Sequence, residues 1–405
     1  MLVLVGEDRV LPKHMFALLT GVALALPAMA AAETRVAHAQ PDRADPQLVP
    51  AIAAPEVRAS QFDNRLAIFT PTNDPIRHTI DYEIWDYALG NILIAMGPSD
   101  RQGAPRPEKL TPTRIAHGPQ SRYRLEGSMV LFRFFDADVI ASFAEYRQDL
   151  ERVAETLDIA KLPRNEQLAY WINLHNVAMM EQIAKEWPVR QPRDITVGGV
   201  PLDEAKFITL RGIPVSLRDI RENIVFRHWK DPKVIYGFWR GEIGGPELQG
   251  HAFTGGNVGS LLDVAAADFV NSLRGTQKRG DRLEVARLYA EVAPFYFRDF
   301  QTDLRTHLAK YADAPVTALL AKTAEVRAAI SEADIADLHG GARPPLYLEV
   351  QTENCPTRLH EAACRLMIAR GLKLREMERS GQPTGRVFFS NIDLPGDPPN
   401  KYAVE

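Results

Sequence analysis

Cysteine is nearly missing from this chain. Only Cys355 and Cys364 occur in 405 residues, so the main body offers no thiol nucleophile, no disulfide framework and no cysteine-rich metal site. Excess positive charge is missing too. The 48 Lys and Arg stand against 52 Asp and Glu, and no basic cluster offsets the net charge of −4. A nucleic-acid partner is therefore not expected. Long apolar runs are equally scarce. The one near the start, Met15–Leu26, is short for a bilayer span and is closed by Pro27. Arg9, Lys13 and His14 precede it, and Ala28-Met29-Ala30 and Ala30-Ala31-Ala32 follow as small-x-small sites. That is the layout of a secretory leader over residues 1–32, although Glu7 and Asp8 are atypical of its charged region. No Cys follows for a lipid anchor. The expectation is a periplasmic or secreted protein with no integral membrane span once the leader is removed.

The remainder has the composition of a globular protein, with 45% hydrophobic and 25% charged residues, enough for one large domain and an appendage. Residues 33–75 are rich in Ala, Pro, Gln, Asp and Arg with scattered apolar positions, and read as a partly disordered tether. Ile80–Ala95 has the spacing of an amphipathic helix, and so does Phe143–Leu157. Between them, prolines interrupt residues 97–120 and Met129–Phe135 is β-prone. Ile195–Val200, Phe207–Leu210 and Ile213–Val215 suggest a small antiparallel element. Leu217–Phe226 reads as a helix and Val234–Trp239 as a buried strand.

The chain is organised around residues 166–187, EQLAYWINLHNVAMMEQIAKEW. Leu168, Ile172, His175, Met179 and Ile183 form one helical stripe, and Tyr170, Trp171, Leu174, Val177 and Met180 fill most of the other sides. A helix apolar nearly all round must be buried. Pro163 suits its start, Glu166 its positive end, and Pro188 stops it. Asn173, His175 and Asn176 then need partners. At 100° per residue they do not converge on one ligand, so the structural role, each amide tying down a loop, competes with a direct binding role for these three and Trp171.

The run LPRNEQLAYWINLHNVAMM resembles the signature of the domain-of-unknown-function 547 family, DUF547. IPVSLRDIRENIVFRHWKDPKV, GPELQGHAFTGGNVGSLLDVAAADFVNS and VARLYAEVAPFYFRDF are similar to further pieces of that family, in the same order. The resemblance covers roughly Ile80–Leu308 and implies no established activity. Two departures stand out. Arg240 and Gly245 occupy positions where many members carry cysteines, and His175 stands where an aromatic is more usual.

The second informative stretch is residues 240–257, RGEIGGPELQGHAFTGGN. So many glycines allow close approach of a ligand or of another backbone. It leads into a helix over Gly256–Leu273, with Thr254 or Asn257 as cap. It matches neither a P-loop nor a dinucleotide fingerprint. His251, Glu247 and Glu242 are the candidate acid–base residues, and Arg240 joins the candidate binding set. A solvated loop with no special role is the competing reading. No metal site and no cofactor are predicted.

Arg287–Phe300, Leu304–Tyr311 and Val316–Ser331 read as helices. A strand at Leu346–Val350, a helix at Pro356–Arg370 and a strand at Val387–Asn391 make a small C-terminal unit. Cys355 sits at the start of that helix and Cys364 nine positions on, about 13 Å away along the axis and too far for a disulfide, which predicts two unpaired thiols over a redox pair. The expected fold is α+β: a helix-rich domain over residues 76–315 with a small antiparallel element, then residues 316–405 as a helix plus a strand–helix–strand appendage. Three function classes stay open. These are a binding module for a peptide, glycan or small anion, an envelope hydrolase or transferase using an acid–His pair, and a structural or interaction protein.

Overall fold

The structure is a computed structural model, and the residues it describes are 63–72, 76–105, 118–343, 359–390 and 403–405. The leader, the tether up to residue 62, the strand expected at Leu346–Val350 and Cys355 lie outside them. The fold is α+β, as the sequence predicts. In chain order it runs α1 (Glu83–Ile92), β1 (Leu93–Gly97), β2 (Gly127–Val130), α2 (Ala137–Thr156), α3 (Arg164–Glu186) and the hairpins β3 (Thr196–Val197)–β4 (Val200–Pro201) and β5 (Ile208–Leu210)–β6 (Ile213–Val215). A π-helical stretch Asp219–Val225 continues into α4 (Phe226–His228), followed by α5 (Val258–Asn271), β7 (Thr276–Arg279) and β8 (Arg282–Ala286). Last come α6 (Arg287–Tyr296), α7 (Phe300–Tyr311), α8 (Ala314–Ala321), β9 (Glu325–Ile330) and α9 (Glu361–Arg379).

Helix α3 is the axis of the core. Every residue from Asn165 to Ala184 is buried. Pro163 stands just before it, Glu166 lies in its first turn, and it ends before Trp187. α2 lies along it, and α5 and the π-helical stretch close other sides. Burying amides on such a helix is tolerable only if they are bonded. Asn173 meets this by clamping Phe253, donating to its carbonyl at 2.7 Å and accepting from its N–H at 3.1 Å. Asn176 does the same at another loop, donating to the Gly237 carbonyl at 2.9 Å and accepting the Trp239 N–H at 3.1 Å. The last turn of the expected tether also joins this core. Asn64–Phe69 forms a 3-10 helix whose Leu66 and Phe69 are buried, with Phe69 edge-on to Trp171.

Several local expectations are corrected. The first helix stops at Ile92, because Leu93–Gly97 leaves it to pair antiparallel with Gly127–Val130. The β-prone Met129–Phe135 is strand only to Val130 and then turns in a 3-10 helix, Phe132–Phe134. Val234–Trp239 is buried but not extended. Pro232 opens a 3-10 helix, Pro232–Gly237, which the Asp231 side chain caps at the Lys233 N–H. A short apolar run does not distinguish the two states by period. Val316–Ser331 is a helix only to Ala321. Its second half becomes β9, with Val326 and Ile330 turned inward against parallel β8. Together with β7 this makes a three-stranded sheet in the order β7-β8-β9.

At the C-terminal end, the helix begins at Glu361 and runs to Arg379. The expected strand at Val387–Asn391 is not formed over its described residues, 387–390, which lie in no helix or strand. Cys364 is disulfide-bonded, and no free cysteine exists among the described residues, which overturns the expected free thiols. The reason is the helix start. The expected separation of about 13 Å assumed a helix from Pro356, whereas the helix begins only at Glu361, three residues before Cys364.

Candidate functional site

The glycine-rich loop after Trp239 is a wall with a cavity on each side. The larger cavity, about 870 Å³, is lined by Arg193, Arg240 and Glu242 on the loop side and by α6 and β9 opposite. The smaller, about 410 Å³, is lined by Glu247 and His251 of the same loop, by β1 and α5, and by residues after α9. The three candidate acid–base residues are thus split: Glu242 faces one cavity, while Glu247 and His251 share the other.

In the larger cavity the loop charges are held in pairs. Arg193 grips both oxygens of Glu242, at 2.8 and 2.9 Å, and Arg240 donates to Glu291 at 2.6 Å. Burial raises the Glu242 carboxyl despite Arg193. Burial would raise Glu291 as well, but Arg240 outweighs it and leaves that carboxyl lowered. Three more arginines, Arg287, Arg298 and Arg327, line the cavity and are exposed. Among the described residues they have no ion-pair partner. Between them lies an apolar floor that includes Leu288, Phe297, Val326 and Ile330.

Behind Arg240 a buried chain leads to α3. Arg221 donates to Asp203 at 2.7 Å and meets His175 Nε2 at 2.9 Å. A guanidinium only donates, so Nε2 accepts and the His175 proton sits on Nδ1, facing Asn176 Oδ1 at 3.1 Å. Burial, then the Arg221 cation, pushes the His175 imidazole down to about 3. His175 is therefore a fixed neutral acceptor. His175, Asn173, Asn176 and Trp171 are all buried, and none of them lines either cavity.

In the smaller cavity, Arg274 is the buried anchor. Its Nη1 donates to the Ile243 and Gly245 carbonyls at 3.2 and 3.0 Å, and its Nη2 lies 3.6 Å from Glu247. Glu126 fixes the turn that follows α5, accepting the Leu273 and Arg274 N–H groups at 2.9 and 3.2 Å. Burial raises the Glu247 carboxyl, and the nearby Asp268 charge adds to it. His251 is 56% exposed at its side chain and reaches Asp86 rather than a loop glutamate, at 3.3 Å. Asp86 Oδ1 also accepts the Ala252 N–H at 2.9 Å, which fixes the loop there. Among the described residues no His, Cys, Asp and Glu group suits a metal ion.

A group whose folded pKa is raised contributes stability below its unfolded value and loses it as pH rises through the folded one. Glu247→Gln should remove that loss while keeping an acceptor for Arg274. The variant is expected to melt close to wild type at pH 5 and higher than wild type at pH 8. Equal differences at the two pH values would contradict the raised carboxyl.

Residues 159–270 match the model of a family described as "Protein of unknown function, DUF547". This segment belongs to the DUF547 family. It is narrower than the Ile80–Leu308 resemblance, running from the turn before α3 almost to the end of α5, and so takes in the whole glycine-rich loop. No curated protein and no solved structure matches the chain. Within the DUF547 segment lie Arg193, Arg240, Glu242, Glu247, His251 and Asp268. Arg287, Glu291, Arg298 and Arg327, which complete the larger cavity, come from outside it. Sequence reasoning missed these four, and also Asp86, Asp268, Arg274 and Arg386. The readable sign was the spacing on α6, which sets Arg287 and Glu291 one turn apart beside the apolar Leu288 and Val292.

Proposed function

We propose that this protein is a binding module whose larger cavity takes a ligand with an acidic group and an apolar body, such as an acidic peptide or an anionic glycan. The observation that carries the reading is the trio Arg287, Arg298 and Arg327, exposed around an apolar floor and, among the described residues, without ion-pair partners. Arg193 and Arg240 are already engaged, by Glu242 on the loop and by Glu291 across on α6, which leaves those three for the ligand. A cationic patch beside apolar surface recognises anionic amphiphiles, and salt weakens the contact. The leader-like Met15–Leu26 supports an exported, envelope setting for this role.

The test is fluorescence anisotropy with a labelled acidic hexapeptide and a basic one of equal length. The acidic peptide should bind more tightly, weaken between 50 and 300 mM salt, and lose at least about tenfold in R287A/R298A/R327A. Equal binding of the two peptides would overturn the proposal. A second reading, acid–base hydrolysis or group transfer, is favoured by one fact: His251 and Glu247 share the smaller cavity. It is the weaker of the two, because His251 pairs with Asp86 and, among the described residues, bonds no Ser or Thr hydroxyl.

A further inference from the structure

The smaller cavity is roofed by a piece of the chain itself. After α9 residues 384–389 run outside any helix or strand, and Thr384, Gly385, Arg386 and Phe388 all line the cavity. Side chains alternate along it, as in a strand. Arg386 points inward, where Nε donates to Asp268 at 2.7 Å and Nη2 to Asp313 at 2.6 Å. Phe388 also points inward, its ring edge-on to His251 at 5.2 Å. Val387 and Phe389 point outward and are 76% and 77% exposed. The Phe389 carbonyl accepts a hydrogen bond from Ser260 Oγ at 2.7 Å.

This hold differs in kind from that of the preceding helix. α9 is anchored by the buried Ala363 and Leu366 and by Lys373, whose Nζ donates to the carbonyls of Gly97, Pro98 and Leu125. Among the described residues the strap is held by the Arg386 ion pairs, the Phe389 carbonyl and Phe388, which meets His251 and packs at the edge of the core; it joins no ladder, and a space of about 410 Å³ is left beneath it. Few buried apolar contacts and solvent-facing backbone mark a segment that opens locally.

We propose that this cleft is a docking groove for extended peptides carrying an arginine two positions before an aromatic residue, and that Arg386–Phe388 fill it in cis. Asp268 and Asp313 read the arginine, the His251 face reads the aromatic, and Ser260 fixes the backbone. The groove lies on the opposite side of the glycine-rich loop from the arginine-lined cavity and favours the opposite ligand charge. A tethered strap competes at a high effective concentration, so a peptide in trans meets a mostly filled groove.

The test uses the full chain and a labelled hexapeptide with the sequence of residues 384–389. R386A/F388A, which weakens the strap, should bind this peptide at least tenfold more tightly than wild type. Adding D268N to that variant should cancel the gain. A peptide with alanine in place of its arginine should bind neither protein. Equal affinity for wild type and R386A/F388A, no binding to either, or equal binding of the arginine-free peptide would overturn the proposal. The arginine-free peptide leaves the protein unaltered, so its result stands even if D268N fails to fold.

Discussion

Acidification is expected to destabilise this fold through three buried histidines. His175, His307 and His339 are each pushed down to about 3 from an ordinary 6.5. Burial is the leading cause in every case, reinforced by Arg221 at His175, Lys310 at His307 and Arg133 at His339. A histidine depressed in this way stays neutral in the fold while the unfolded chain takes up a proton. Its cost is absent above about pH 6.5 and grows as pH falls toward 3. Each site costs about 1.4 kcal/mol per pH unit in that window, or about 6 kcal/mol for the three at pH 5. Asp337 opposes the trend, since burial raises its carboxyl to about 6, and it stabilises the fold as pH drops below that value. Glu247 acts in the same direction. The raised carboxyls of Glu222, Glu242 and Asp268 do so too, so the net loss at pH 5 is well below the histidine sum and steepens as pH falls further, once those carboxyls are protonated in the fold. Urea unfolding between pH 7.5 and 4 reads this directly. His307→Phe should flatten the curve by about 1.4 kcal/mol per pH unit, and parallel curves for variant and wild type would refute the assignment.

The second large effect is at Asn176. Alanine there leaves the Trp239 N–H, the Gly237 carbonyl and the His175 Nδ1–H without partners inside the core. At about 1–3 kcal/mol for each of the three buried orphans, the expected loss is about 3–9 kcal/mol. Urea midpoints at pH 7.5, where His175 titration contributes nothing, measure it. A loss below about 1 kcal/mol would mean that the loop after Gly237 is held by something other than this amide.

The Asn176 prediction, and the His175 share of the first, rest on the part of the molecule that was most legible in the sequence. Helix α3 announced itself by apolar residues on all sides and by prolines at its ends. The expectation that Asn173 and Asn176 each tie down a loop follows from the cost of burying an amide unpaired. The glycine-rich loop was equally legible, because glycine density reports a backbone demand and not a tertiary contact. β9 was not, since Glu325–Ile330 follows an alanine-rich helix and becomes a strand only because β8 lies beside it. The cavities were legible only on their loop side. Asp86 meets His251 across 165 positions and Arg386 meets Asp268 across 118, and no local period encodes such pairs. The cysteines were misread because a nine-residue spacing was translated into helical rise before the helix start was known.

Arg274 has a consequence for how the two chambers communicate. One nitrogen of its guanidinium holds the Gly245 carbonyl, whose residue borders the arginine-lined chamber, while another faces Glu247 in the strapped one. The partition between them is one loop thick, and the Arg274 guanidinium holds it together with the backbone bonds of Ile243 and Gly244 to residues 334 and 332. A guest that displaces Gly245 would strain a contact that also faces Glu247. Ligands in the two chambers are therefore expected to change each other's affinity by the same factor.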